Sequence, residues 1–122
     1  MTVRDPGPEH GPLAAKIEQT FGRMFVEGAA VLGDLFADDA VWVAHRTTLA
    51  GLELIVQNAD MAMRRFGWNG FTLLISTEAA GVVSARSRAT YTQVRPLEAV
   101  LAAHFDDDGK VRALVSFDDP PS

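Results

Sequence analysis

The chain has no cysteine, which excludes disulfide bonds, thiolate metal ligands and a thiol nucleophile. Tyrosine is nearly absent as well. Tyr91 stands alone, so any phenol chemistry rests on that one residue. Basic residues are outnumbered, 11 against 16 acidic ones, for a formal charge of −5. They gather nowhere beyond short pairs such as Arg64-Arg65. Nucleic-acid binders usually present a basic face, so nucleic acid is not an expected partner. No apolar run approaches the ~20 residues that span a bilayer, and no membrane partner is expected. The opening Met1-Thr-Val-Arg-Asp-Pro-Gly-Pro lacks the apolar core of a secretory signal, which gives the expectation of a cytoplasmic protein. The three histidines, His10, His45 and His104, show no spacing such as His-x3-His, so no metal site is expected.

What is present suits one domain. A chain of 122 residues, 48% of them apolar, is long enough to bury its own core. Residues 1–12 hold three prolines and two glycines and read as a flexible lead. The domain then covers residues 13–118, and 119–122 form a tail. Ala14, Ile17, Phe21, Met24 and Phe25 recur at helical spacing and predict a helix ending near Gly28. A shorter helix is expected over 29–36, then strand one over 40–45 and a loop through Arg46-Thr47-Thr48. Residues 52–66 carry a second helical period, with Ile55, Val56, Ala59, Met63 and Phe66 on one face, stopped by Gly67 and Asn69-Gly70. Four β-rich runs follow, at 71–77, 82–92, 97–105 and 111–117. The last two are joined by the hairpin turn Asp106-Asp107-Asp108-Gly109. Those acids are turn chemistry, because the other ligands of a calcium loop are missing.

The most informative stretch is Leu35 to Val43. An apolar helix end meets Asp38 and Asp39, whose short side chains suit a turn. Val41, Trp42 and Val43 then favour a half-buried strand. Helices first and strands afterwards indicate an α+β layer fold.

On three features the chain resembles the SnoaL-like group of the nuclear-transport-factor-2-like superfamily, across roughly residues 13–118. These are the Phe36-Ala37-Asp38-Asp39-Ala40 junction, Gly51 opening the second long helix, and the Phe105…Asp108-Gly109-Lys110-Val111 hairpin. The resemblance implies a cone-shaped, curved antiparallel sheet wrapped round N-terminal helices and enclosing a pocket. It also implies a homodimer through the open sheet face, and cofactor-free acid–base chemistry on a hydrophobic metabolite (cyclisation, isomerisation or dehydration). The group includes ketosteroid isomerases, polyketide cyclases and limonene-type epoxide hydrolases, alongside members that only bind.

The relatives' catalytic side chains are replaced here. Where ketosteroid isomerases carry a carboxylate base, an oxyanion-hole tyrosine and an oxyanion-hole aspartate, this sequence has Ala44, Phe21 and Leu101. The Arg-x-Asp element of the epoxide hydrolases becomes Arg86-Ser87-Arg88, and the final-strand acid of the cyclases falls near Ser116.

Strand alternation then nominates other groups. Asp118 shares the inner face of the last strand with Leu114 and Ser116 and is the candidate base, with a solvated strand end as the plainer reading. Tyr91 is a candidate proton donor or a cap on the sheet. His45 needs a bent strand to reach a cavity that alternation turns it away from. Trp42 offers a flat wall and an indole N–H for a ligand oxygen, or plain core packing. Phe21, Phe25, Met63, Phe66, Leu101, Leu114 and Ser116 complete the expected substrate-binding wall. Small residues at Ala99 and Ala103 leave volume inside it. Asn58 reads as solvated, and Arg86 and Arg88 as outward-facing. The expected function is small-molecule acid–base catalysis; the rivals are a non-catalytic binder of a hydrophobic ligand and a dimeric interaction module.

Overall fold

The computed structural model describes residues 10–44 and 46–118. Helix α1, Pro12–Glu27, starts with a proline whose missing N–H would have had no helical partner. Its first free amides are taken by a distant side chain. The Glu78 carboxylate accepts hydrogen bonds from Leu13 N at 3.3 Å and Ala14 N at 3.0 Å. That placement also suits the positive end of the helix dipole. His10, assigned to the flexible lead, sits in the same cluster, with Nδ1 2.6 Å from Ser76 Oγ.

A 3₁₀ turn, Ala29–Asp34, replaces the second helix expected up to residue 36. Strand β1, Phe36–Ala44, begins earlier than expected, so Asp38 and Asp39 lie within a strand and not in a turn. The reason is a bulge. The pairing of β1 shifts register between Phe36 and Val41, leaving both acids exposed, and Asp39 pairs with Arg112 at 2.7 Å. Strand β2, Thr47–Ala50, pairs antiparallel to β1 where a loop was expected. Thr47-Thr48-Leu49-Ala50 runs two polar residues and then two apolar ones, so the alternation that marks a strand is missing.

Helix α2, Leu52–Phe66, has the expected bounds. Gly67 ends it at φ 68, and a side chain there would collide with the Thr92 hydroxyl. Backbone bonds from Thr92 N to Gly67 O (3.0 Å) and Gln93 N to Phe66 O (3.1 Å) tie this end to the exit of the fourth strand.

Strands β3 (Trp68–Ala79), β4 (Val82–Tyr91), β5 (Leu97–Phe105) and β6 (Val111–Asp118) complete one six-stranded sheet in the order β2-β1-β6-β5-β4-β3. Neighbours run antiparallel except β1 and β6, which are parallel. Register shifts at Trp68/Gly70 and Leu73/Ile75 bend β3 and curve the sheet. The concave face buries Val83, Ala85 and Ser87 of β4 with Leu101 and Leu114, against Ile17 and Phe21 of α1 and Ile55 and Ala59 of α2. Arg86 and Arg88 alternate outward, as the pattern indicated. Val111 is buried, because a register shift opposite His104 and Phe105 turns the start of β6 inward. Among the described residues no helix is long and apolar enough to cross a membrane.

Candidate ligand cavity

Strands β4 and β5 contribute small side chains, Ser87, Ala89 and Ala99, where the sheet passes under the helices. The space they leave is a cavity of about 190 Å³, partly open at one end. An apolar cavity of ~150 Å³ accommodates benzene, whereas drug-sized ligands need roughly 300–1,000 Å³. The closed part therefore matches a single ring with short substituents.

Aromatic side chains build the wall. Phe21 is the hub, with its ring 6.2 Å from Trp42, 5.7 Å from Trp68 and 4.7 Å from Phe71. Behind it Phe36 stacks on Trp42 at 6.0 Å and meets Phe21 edge-on at 6.4 Å. Leu101 and Leu114 close the sheet side.

Side-chain donors inside this wall already have partners, in a side chain or a backbone carbonyl. Trp42 Nε1 donates to Ser116 Oγ at 3.0 Å and ties β1 to β6. Of the two readings of Trp42, a ligand oxygen for this N–H or plain core packing, the bond to Ser116 favours the second for the N–H, while the ring still lines the cavity. Trp68 Nε1 donates to Gly70 O at 3.0 Å, and the buried Ser87 hydroxyl donates to Ala99 O at 3.4 Å. What remains for a ligand lies at the open end: Asn58 from α2, Tyr91 from the end of β4 and Asp118 from the end of β6. Among the described residues no side-chain hydrogen bond engages these three.

Tyr91 is half-buried and stacks on Trp68 with ring centroids 6.3 Å apart. Burial raises its pKa above the ordinary 10.0, and the nearby charge of Asp118 raises it further. The phenol is therefore held as a neutral hydrogen-bond donor. Asp118 itself is exposed at the rim, opposite Ala99 of β5. Asp118 is the one acidic residue on the cavity wall among the described residues. No cluster of three or more metal-ligating His, Cys, Asp or Glu side chains occurs among them.

The cavity thus brings together Phe21, Trp42, Leu101, Leu114, Ser116, Tyr91 and Asp118 of the expected set. Three expected wall residues are elsewhere. Phe25 packs behind the wall, edge-on to Trp68 at 5.3 Å. Met63 leans on the core outside the cavity, and Phe66 is exposed in an outer hollow. Helical period identifies the face that turns inward but not how far along the axis the cavity extends. Ala44, the position matching a relative's base, is not on the wall, whereas Phe21, Leu101 and Ser116 are. His45 lies outside the described residues.

Asn58, Trp68 and Phe71 were missed. Asn58 carried a usable signal, since Ile55, Asn58, Ala59 and Ala62 fall on one helical stripe. Trp68 was hidden between Gly67 and Asn69-Gly70, which read as helix-breaking turn residues.

No protein-family model matches the sequence, and no curated protein does. Solved structures do match in shape. A SnoaL-like protein of unknown function from Burkholderia thailandensis E264 superposes with a TM-score of 0.73 at 13% identity, covering 91% of this chain and 98% of that one. A SnoaL-like family protein from Agrobacterium tumefaciens strain C58 gives 0.72 at 16%, covering 90% and 100%. A steroid delta-isomerase from Pseudomonas aeruginosa gives 0.65 at 18%, covering 90% and 82%. At these identities the likeness is one of architecture alone. The chain has the α+β cone fold of the SnoaL-like, nuclear-transport-factor-2-like proteins.

Proposed function

We propose that the cavity binds a small hydrophobic molecule bearing one carbonyl or hydroxyl group, and that Asp118 and Tyr91 move a proton on it. The observation that carries this reading is the meeting of a carboxylate and a neutral phenol at the mouth of an otherwise apolar, internally satisfied cavity. The apolar part of the ligand enters between Phe21, Trp42 and Trp68. Its oxygen stays at the mouth, where Tyr91 O–H and Asn58 donate to it. For a carbonyl compound, the Asp118 carboxylate removes a proton from the carbon beside the carbonyl. The electron pair moves on to oxygen, and the Tyr91 hydrogen bond strengthens as that oxygen becomes negative. Returning the proton to a different carbon completes an isomerisation with no cofactor.

Cyclohexenone with its double bond out of conjugation is a suitable probe, because rearrangement produces an ultraviolet-absorbing enone. The expected result is catalysed conversion that falls about 10²–10⁴-fold in Asp118→Asn, the usual contribution of a positioned base. Equal rates in wild type and Asp118→Asn remove the catalytic part of the proposal.

The exposure of Asp118 favours a second reading, retention of a hydrophobic ligand without turnover, since a solvated carboxylate gains little from the cavity. In that case the ligand binds and no enone forms.

Outward-facing Ile75, Val100 and Phe117 lie in one row across the sheet, with Arg86 between the first two. We infer a homodimer formed through this face. Val100→Asp is expected to convert it to monomer in sedimentation measurements. An unchanged mass for Val100→Asp would remove this interface.

A further inference from the structure

The inner cavity does not end at Tyr91. A second hollow of about 560 Å³ adjoins it, sharing Asn58, Ala62, Tyr91 and Leu97 as walls. It runs between the C-terminal half of α2 and the 92–96 connection. Four of the nine large apolar side chains exposed among the described residues, Met61, Phe66, Val94 and Leu97, lie here. Such a concentration marks a contact surface, whereas scattered exposed apolar residues do not. The two walls are held together, because Thr92 N and Gln93 N bond the last carbonyls of α2.

The charge here is opposite to that of the whole chain. The formal net charge is −5, yet the hollow carries Arg95, and the Arg65 guanidinium lies 5.8 Å over the adjoining Phe66 ring. Among the described residues neither arginine has a carboxylate partner, whereas Arg23, Arg64 and Arg112 each do. Asp118 lines the inner cavity alone and Arg95 the hollow alone, while Tyr91 stands on the wall of both.

We propose that the ligand is a two-part molecule: a ring in the inner cavity and an apolar tail through the hollow ending in a carboxylate at Arg95. This rests on the ligand-binding reading of the inner cavity and extends it to a substrate class, ring-bearing aliphatic acids. A carboxylate attached directly to the ring is disfavoured, because it would lie beside Asp118. A carboxylate several methylenes away clears Asp118 and reaches the guanidinium, which binds such groups in bidentate fashion.

The test is titration of the wild-type chain with phenylbutyrate, with its methyl ester and with benzoate, read by the fluorescence of Trp42 and Trp68 on the inner wall. Apolar partition alone favours the ester. The expected result is phenylbutyrate bound about fivefold more tightly than the ester, the upper scale of an exposed ion pair, with benzoate weaker than both. That preference shrinks as salt is raised, disappears in Arg95→Ala and persists in Arg23→Ala. Ester and acid binding alike, or a preference that survives Arg95→Ala, overturns the tail assignment while the inner cavity stands. Failure of all three to bind saturably overturns the cavity reading and this inference with it.

Discussion

The two ends of the cone are built differently from similar material. At the closed end Phe21, Phe36 and Trp42 touch ring to ring, and Phe36 is fully buried. Among the described residues no buried side-chain polar atom lacks a partner, as in Trp42 Nε1 to Ser116 Oγ. At the open end Trp68 and Tyr91 also stack, but Asn58, Tyr91 and Asp118 have no side-chain hydrogen bonds among the described residues, and large apolar side chains face water. The first end is satisfied and holds the fold; the second is unsatisfied and is available to a ligand. Substitutions at the closed end are therefore expected to act on stability, and those at the open end on binding.

The largest expected effect is at the closed end. Phe36→Ala removes a buried ring and its stacking on Trp42, and should destabilise the chain by about 3–5 kcal/mol, measured as a shift in urea unfolding. A much smaller shift would mean that the closed end repacks easily and that the contrast is overstated. Ala99→Leu sharpens the comparison from the other side. It fills the cavity while leaving the aromatic cluster in place, so ring-ligand affinity should drop by about tenfold or more. Stability should change by only about 1 kcal/mol, small for an added side chain because the space is already empty. Tyr91→Phe comes next. Loss of one hydrogen bond to a ligand carbonyl should weaken binding by about 1 kcal/mol, with unfolding in urea at neutral pH nearly unchanged.

The smallest effect concerns protons. Because the folded chain holds the Tyr91 proton more tightly than the unfolded chain, stability should fall as pH rises from the ordinary value of 10.0 through the higher folded value. Tyr91→Phe should abolish this contribution to the fall. Asp118→Asn removes the secondary cause of the shift, so tyrosinate absorbance should appear at lower pH in that variant. The signal is unambiguous, since the chain has a single tyrosine. An unmoved titration would separate Asp118 from Tyr91 and dissolve the proposed pair.

Much of this architecture was legible in the sequence, for identifiable reasons. The α2 boundaries were set by a clean helical period ending at Gly67, and the β5–β6 hairpin by the acids before Gly109. Outward Arg86 and Arg88 followed from strand alternation. The Asp38-Asp39 pair misled because turn propensity is local, while the bulge that accommodates it depends on β6, which lies some seventy residues further on. The cavity was harder. Alternation ranks side chains as inward or outward, but depth along α2 decides that Asn58 reaches the mouth while Phe66 passes beyond it. Trp42 shows the same limit, because its orientation was legible and its satisfaction by Ser116 was not.

The most direct test of the division between the two ends uses acetophenone, a single ring bearing one carbonyl, with NMR detection of the tryptophan indole N–H signals. The chain has two tryptophans, and both line the cavity. Saturable shifts of both signals in the wild type, absent in an Ala99→Leu chain that unfolds at nearly the same urea concentration, are the predicted result. Shifts that are absent in both chains, or equal in both, would contradict it.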